Sequence, residues 1–125
     1  MADIDVKDSI LNSTKKMLGI DPDYNVFDLE IQTFINAQFS TLNQLGVGPV
    51  GGYEIEGPDN VWSEFLNGDP NLNSAKTLIF TRVRLLFDPP ETSFGQESMR
   101  KVAEELEVRL NIYGEGLRHP SGTTT

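Results

Sequence analysis

The sequence predicts an all-α protein, a small helical bundle of about five helices with a long glycine- and proline-rich loop and an extended C-terminal tail. In five segments the apolar residues recur three or four positions apart, the spacing of one face of an α-helix. Glycine or proline follows each segment and ends the pattern. Together these segments cover nearly twice the share of about one third that helices usually take.

Two helices are predicted before the loop. The first covers residues 8–18 and is ended by Gly19, which readily adopts the left-handed conformation. The second covers residues 25–45, with Asp23 or Asn25 as its N-cap. Its phenylalanines, isoleucines and leucines form a wide apolar face, so this segment carries the strongest helical pattern in the chain.

The loop follows the second helix. Residues 46–58 hold five glycines and two prolines, so they cannot form the interior of a helix. Residues 53–55 are at most one short strand. Loops of this length in compact domains are usually functional or become ordered by a partner. A short helix is predicted after the loop, over residues 60–66.

The fourth segment, residues 73–87, fits two patterns. From Thr77 to Phe87, threonine or an apolar residue occupies every second position, which is the alternation of a strand. Apolar residues of the same segment also recur at the spacing of one helical face. The segment is longer than the usual 3–10 residues of a strand, which favours a helix. Asn73 is the predicted N-cap, and residues 88–90 (Asp-Pro-Pro) end the helix.

The fifth helix is predicted over residues 94–113, with Ser93 and Gln96 at the spacing of a capping box. The glycine that follows is expected to end it. The helices then form one domain, residues 1–113, and residues 114–125 form an extended tail. The tail has low hydrophobicity, so we expect a partner to order it.

Composition excludes several classes of protein. The chain has no cysteine, which removes disulfides and thiolate metal sites, and no apolar run approaches the roughly 20 residues of a membrane span. The net charge of −9 comes entirely from residues 1–75, because residues 76–125 are balanced. An acidic surface repels phosphate and disfavours DNA binding through a basic patch, although solubility alone also explains such a charge.

Catalytic motifs are not found. The only histidine, His119, lies in the polar tail. Residues 46–51 match the dinucleotide-binding pattern G-x-G-x-x-G, but a helix precedes them and Pro49 removes a backbone donor. Residues 69–80 begin like a calcium loop and lack its glycine and its final glutamate. The sequence therefore predicts no enzyme, no cofactor and no metal site.

Five strings in order along the chain carry a family resemblance. They are DSILNSTKKMLG (8–19), FSTLNQLGVGP (39–49), VWSEF (61–65), LLFDPP (85–90) and EELEVRLN (104–111). In this order and spacing they resemble the head–tail connector proteins, also called adaptor or head-completion proteins, of long-tailed bacteriophages. The resemblance covers residues 8–113. None of the strings is a catalytic signature, so no active-site residues carry over.

The resemblance implies a virion protein at the head–tail interface, assembled in the host cytoplasm. Such adaptors usually form a twelve-fold homo-oligomeric ring under the portal protein. The ring extends the DNA channel and joins the capsid vertex to head-closure or tail-terminator proteins, and packaged DNA passes through without sequence-specific binding. The C-terminal segment tends to dock on the portal, which would map to residues 114–125. No membrane is involved.

Aromatic, apolar and basic side chains near the loop, the fourth helix and the tail are the candidates for a subunit or portal interface. These are Val47, Pro49, Tyr53, Ile55, Trp62, Phe65, Arg82, Arg84, Leu117, Arg118 and His119. Two alternatives stay open: Trp62 and Phe65 could instead cover the core, and the two arginines could form ordinary surface ion pairs. A second functional hypothesis is a non-enzymatic helical protein-binding module or regulator outside the virion.

Overall fold

The computed structural model describes residues 7–118, and within this range the chain is helical and contains no β-strand. Its elements are α1 (Ile10–Met17), α2 (Asp28–Gln44), α3 (Trp62–Leu66), a 3₁₀ turn (Pro70–Leu72), α4 (Asn73–Phe87) and α5 (Ser93–Arg118). An isolated antiparallel bridge pairs Ser9 with Val61. The prediction of an all-α bundle of five helices is confirmed.

One apolar cluster joins all five helices. α4 packs against both α2 and α5, and the loop and α3 add further side chains to the same cluster. Burial of this apolar surface is the main term that stabilises the bundle. The cluster consists of Ile10, Leu11, Ile31, Ile35, Phe39, Leu42, Val47, Ile55, Trp62, Phe65, Leu72, Ala75, Leu78, Ile79, Val83, Ala103 and Leu110.

Helix α1 begins and ends on local signals. The Ser9 hydroxyl accepts a hydrogen bond from the Asn12 backbone N–H at 3.2 Å, as an N-cap does, and itself donates to the Pro58 carbonyl at 2.7 Å. Gly19 follows the helix with φ of +79°, a conformation that glycine adopts without steric cost. The predicted stop at Gly19 is confirmed.

Helix α2 begins at Asp28, three residues later than predicted, and neither Asp23 nor Asn25 caps it. A buried lysine accounts for the difference. The Lys15 ammonium lies 2.7 Å from Asp28 Oδ1, 2.8 Å from the Pro22 carbonyl oxygen and 3.4 Å from Asn25 Oδ1. The chain before α2 therefore wraps around this ammonium, because a fully buried charge requires polar partners.

Helix α4 has the predicted bounds, so the ambiguous segment is helical. Asn73 is its first helical residue, however, and does not cap it. The 3₁₀ turn runs directly into the helix, and the Asp69 carboxylate caps that turn by accepting from the Asn71 N–H at 2.9 Å. The Asp88 N–H bonds the Arg84 carbonyl at the other end, where two prolines follow.

Helix α5 differs from its prediction at both ends. The hydroxyl of Thr92 accepts from the Gly95 N–H at 3.0 Å, whereas Gln96 donates to the Pro90 carbonyl, so the predicted Ser93–Gln96 capping box is wrong. The helix also continues through Gly114 to Arg118. A Cβ on Gly114 would lie 1.9 Å from the Leu45 carbonyl oxygen, so the glycine permits a close approach within the helix.

The extended tail is therefore wrong for residues 114–118, which are helical. Residues 119–125, including His119, lie outside the described residues. Ordering of that segment by a partner stays a prediction.

Candidate interaction surfaces

The loop of residues 46–58 packs onto the bundle from its first residues. The Val47 N–H donates to the Leu42 carbonyl at 2.9 Å, and the Val47 side chain is buried. Gly48 follows with φ of +101°, and a Cβ there would lie 2.7 Å from the Phe65 ring. Only glycine therefore satisfies both the backbone conformation and the available space at this position.

The second half of the loop is held by one side chain of α2. Asn36 Nδ2 donates to the Ile55 carbonyl at 3.0 Å, and the Ile55 N–H donates to Asn36 Oδ1 at 2.7 Å. This pair of bonds replaces the partner strand that an extended segment would otherwise need. Ile55 then points into the core, where its side chain is buried.

A polar contact joins the loop to α3. The Tyr53 hydroxyl donates to Glu64 Oε1 at 2.8 Å, and the same oxygen accepts from the Val61 N–H at 3.2 Å. Burial, together with the hydrogen bond to the Glu64 carboxylate, raises the pKa of Tyr53. The hydrogen bond from Tyr53 lowers the pKa of Glu64, because it favours the ionised carboxylate.

Helix α3 directs its two large aromatic residues inward. Trp62 and Phe65 are almost completely buried, and the Phe39 ring packs near both, at centroid distances of 6.2 and 4.8 Å. Trp62 Nε1 donates to Ser13 Oγ at 2.8 Å, which satisfies its only donor. The structure thus agrees with the alternative in which these residues cover the core, and the exposed side of α3 carries Ser63 and Glu64.

The two candidate arginines have partners within the chain. Arg82 forms an ion pair with Glu107 at 2.5 Å, which joins α4 to α5. Arg84 Nε donates to the Asp88 carbonyl at 2.7 Å, at the end of its own helix. Both contacts fit the alternative of ordinary surface interactions.

Two clefts border the loop. One, of about 460 Å³, lies between α2 and the loop and includes Tyr53. The other, of about 240 Å³, brings together Pro49, Phe65 and Leu117, three candidates from different elements. Three further candidates lie elsewhere. Val47 and Ile55 are buried in the core, and Arg118 is the last residue of α5.

Sequence reasoning did not single out several exposed apolar side chains near the loop and the start of α2. Val50, at the tip of the loop, is fully exposed. Tyr24 and Val26, in the segment that precedes α2, and Leu29, in the first turn of α2, are 50, 70 and 78% exposed. The signal that was available is Pro22, which separates this segment from α1.

Side chains that could bind a metal ion do not cluster in the described part of the chain. Among residues 7–118 no group of three or more histidine or acidic side chains is placed to hold a metal ion. None of the helices in that range is long and apolar enough to cross a membrane.

Comparison with known families decides the assignment. The family model described as phage connector protein matches residues 10–116, which run from the start of α1 into the last turns of α5. The chain belongs to the phage connector protein family. No curated protein and no solved structure gives a significant match.

Family membership gives this connector protein a general role in the bacteriophage particle. Phage connectors are structural proteins of the virion. The surface of the bundle agrees with such a role, because the loop, α3 and α5 present clefts and exposed apolar side chains around a packed core.

Proposed function

We propose that this phage connector protein is an adaptor subunit, which forms a ring under the portal, extends the DNA channel and joins the capsid vertex to head-closure or tail-terminator proteins. The observation that carries the proposal is the family match, because it spans nearly all of the described helical bundle. The subunit acts by shape and by its interfaces and is not an enzyme. A twelve-fold ring is the proposed stoichiometry.

The surfaces around the loop support this proposal. The cleft that contains Pro49 and Leu117 lies where α5 ends, next to the point from which residues 119–125 continue. The titratable residues that line this cleft are Glu64 and Asp69, and both carboxylates accept hydrogen bonds from within the chain, so the cleft suits contact with another protein more than chemistry. Docking of residues 119–125 on the portal rests on the resemblance alone.

The charge of the chain supports the passage of DNA without sequence-specific binding. With a net charge of −9, the protein repels the phosphate backbone on average. A channel formed by such subunits gives packaged DNA no strong resting site.

The test is to mix the purified protein with the portal ring of its own phage and to examine the particles by cryo-electron microscopy. We expect portals decorated with one added ring whose radial symmetry matches. Leu117→Asp should weaken decoration, whereas its neighbour Gly116→Ala, a position with open space around it, should not. Bare portals beside intact free protein would overturn the proposal and favour a helical protein-binding module outside the virion.

A further inference from the structure

A groove between α1 and α4 combines positive charge with an apolar floor. It has a volume of about 230 Å³ and is lined by Lys7, Ser13, Lys16, Met17, Lys76 and Phe80. A smaller cleft of about 110 Å³ shares Met17 and Phe80 and adds Arg84 and Met99, so the same surface continues along α4. We call the surface formed by these two clefts the basic groove.

The concentration of positive charge in the basic groove is unusual for this chain. Residues 1–75 contain only three basic side chains, Lys7, Lys15 and Lys16, against twelve acidic ones. Lys15 is buried in its ion pair with Asp28. The other two both line the groove, where Lys76 from α4 joins them. An acidic protein can be soluble with its few lysines dispersed over the surface, so solubility does not account for their grouping in the groove.

The floor of the groove is apolar and well supported. Met17 is 60% exposed, and the Phe80 ring packs edge-on against the buried Trp62 ring at 5.7 Å. The Lys76 ammonium lies 5.3 Å from the centroid of the same Trp62 ring, which holds it beside the groove. An apolar floor with a cationic rim suits an acidic segment that also offers apolar side chains.

The chain itself contains a surface of that complementary kind. Residues 21–30, here called the acidic segment, expose Asp21, Asp23 and Glu30 together with three of the apolar side chains that sequence reasoning missed. The Lys15 ammonium bonds Pro22 and Asp28 and thereby holds the segment in place. A surface held in its binding conformation loses little entropy on association.

We propose that the acidic segment of one copy docks into the basic groove of a second copy. The two surfaces share no residue, so one copy can use both at once, and we assign the contact as heterologous, with each copy docking on the next. Head-to-tail association forms a ring when the rotation between successive copies closes, and in this way the inference deepens the adaptor role and rests on it. Met17 and Phe80 receive apolar side chains such as Leu29, and the lysines face the carboxylates.

Cross-linking tests this contact directly, because the chain has no cysteine of its own. Met17→Cys and Leu29→Cys are made separately, mixed, and treated with a short bismaleimide, both in concentrated solution and on portal rings. We expect a cross-linked heterodimer from the mixture and little product from either variant alone. Ile112→Cys, at a position on α5 that is 66% exposed against 78% for Leu29, replaces Leu29→Cys as the control and should give no product.

Charge reversal provides the second readout. Adding Lys16→Glu and Lys76→Glu to the Met17→Cys variant should lower the yield of heterodimer about tenfold, because two attractive pairs become repulsive. Adding Asp21→Lys and Asp23→Lys to the Leu29→Cys variant should then restore the yield. Loss without restoration would mean that the groove binds a different partner.

The outcomes separate this inference from the adaptor role. Decorated portals without the heterodimer would overturn the inference and leave the adaptor role intact. A heterodimer with bare portals would support the inference and count against the adaptor role. Homodimers from a single variant, or equal product from Ile112→Cys, would overturn the head-to-tail contact. Absence of product in solution and on portals would also overturn it.

Discussion

At the scale of single residues, two glycines of α5 have different surroundings. A Cβ on Gly114 would meet the Leu45 carbonyl oxygen at 1.9 Å, whereas nothing lies within 4 Å of a Cβ on Gly116. We expect Gly114→Ala to lower the free energy of unfolding by about 2 kcal/mol, because α5 must shift away from the chain after α2. Gly116→Ala should raise it by up to about 1 kcal/mol through helix propensity.

Urea unfolding of the two variants checks this expectation. Equal effects of the two alanines would mean that the close approach of α5 to Leu45 does not constrain the fold.

A second prediction concerns Glu64, whose carboxylate joins the loop to α3. Its pKa is lowered in the folded state, so the stability it contributes is present at neutral pH and is lost as the pH falls through the lowered value. Tyr53→Phe removes the hydroxyl that donates to Glu64, and the pKa of Glu64 should rise toward its ordinary value. An NMR titration of the Glu64 side-chain carboxyl carbon measures this change.

Tyr113→Phe is the matched control. The Tyr113 hydroxyl donates to Asp69, and this bond lowers the pKa of that carboxyl instead. The control should therefore raise the pKa of Asp69 and leave Glu64 unchanged. If Tyr53→Phe does not change the pKa of Glu64, the contact between loop and α3 is not formed in solution.

At the scale of elements, the start of α5 distinguishes two possible caps. Thr92→Ala removes the oxygen that accepts from the Gly95 N–H and should cost about 1 kcal/mol of stability. Ser93 lies within the helix, so Ser93→Ala should change stability by less than about 0.5 kcal/mol. Thermal unfolding ranks the two variants, and the opposite order would restore the capping box predicted from the sequence.

The elements also differ in how well local signals mark their ends. α4 has its predicted bounds, because a proline turn precedes it and two prolines follow it. α2 starts late, because Lys15 binds the chain that would have formed its first turn. α5 continues past Gly114, where the sequence predicts the end of the helix.

At the scale of the whole molecule, the described chain behaves as one packed unit. A single apolar cluster contains residues of all five helices and of the loop, including Val47 and Ile55. A partner that contacts the tip of the loop therefore contacts a surface supported directly by the core. This organisation suits a subunit that must keep its shape within an assembly.

Sequence patterns were sufficient to predict the helical class, the number and order of the helices and the bounds of α4, and the resemblance predicted the connector family, which the family match confirms. The helical features depend on neighbours along the chain, since periodicity, glycines and prolines act locally, whereas the family resemblance is carried by the order and spacing of five strings. The same local patterns gave no catalytic motif and placed the loop between the second and third helices.

Which side chains are buried and which remain exposed could be learned only from the packed structure. Trp62 is buried against Ser13, 49 residues away, and Lys15 is buried among oxygens of the chain before α2. The basic groove likewise joins residues of α1 to residues of α4. Burial and convergence of charge depend on residues that are distant in the sequence, and no local pattern specifies which of them meet.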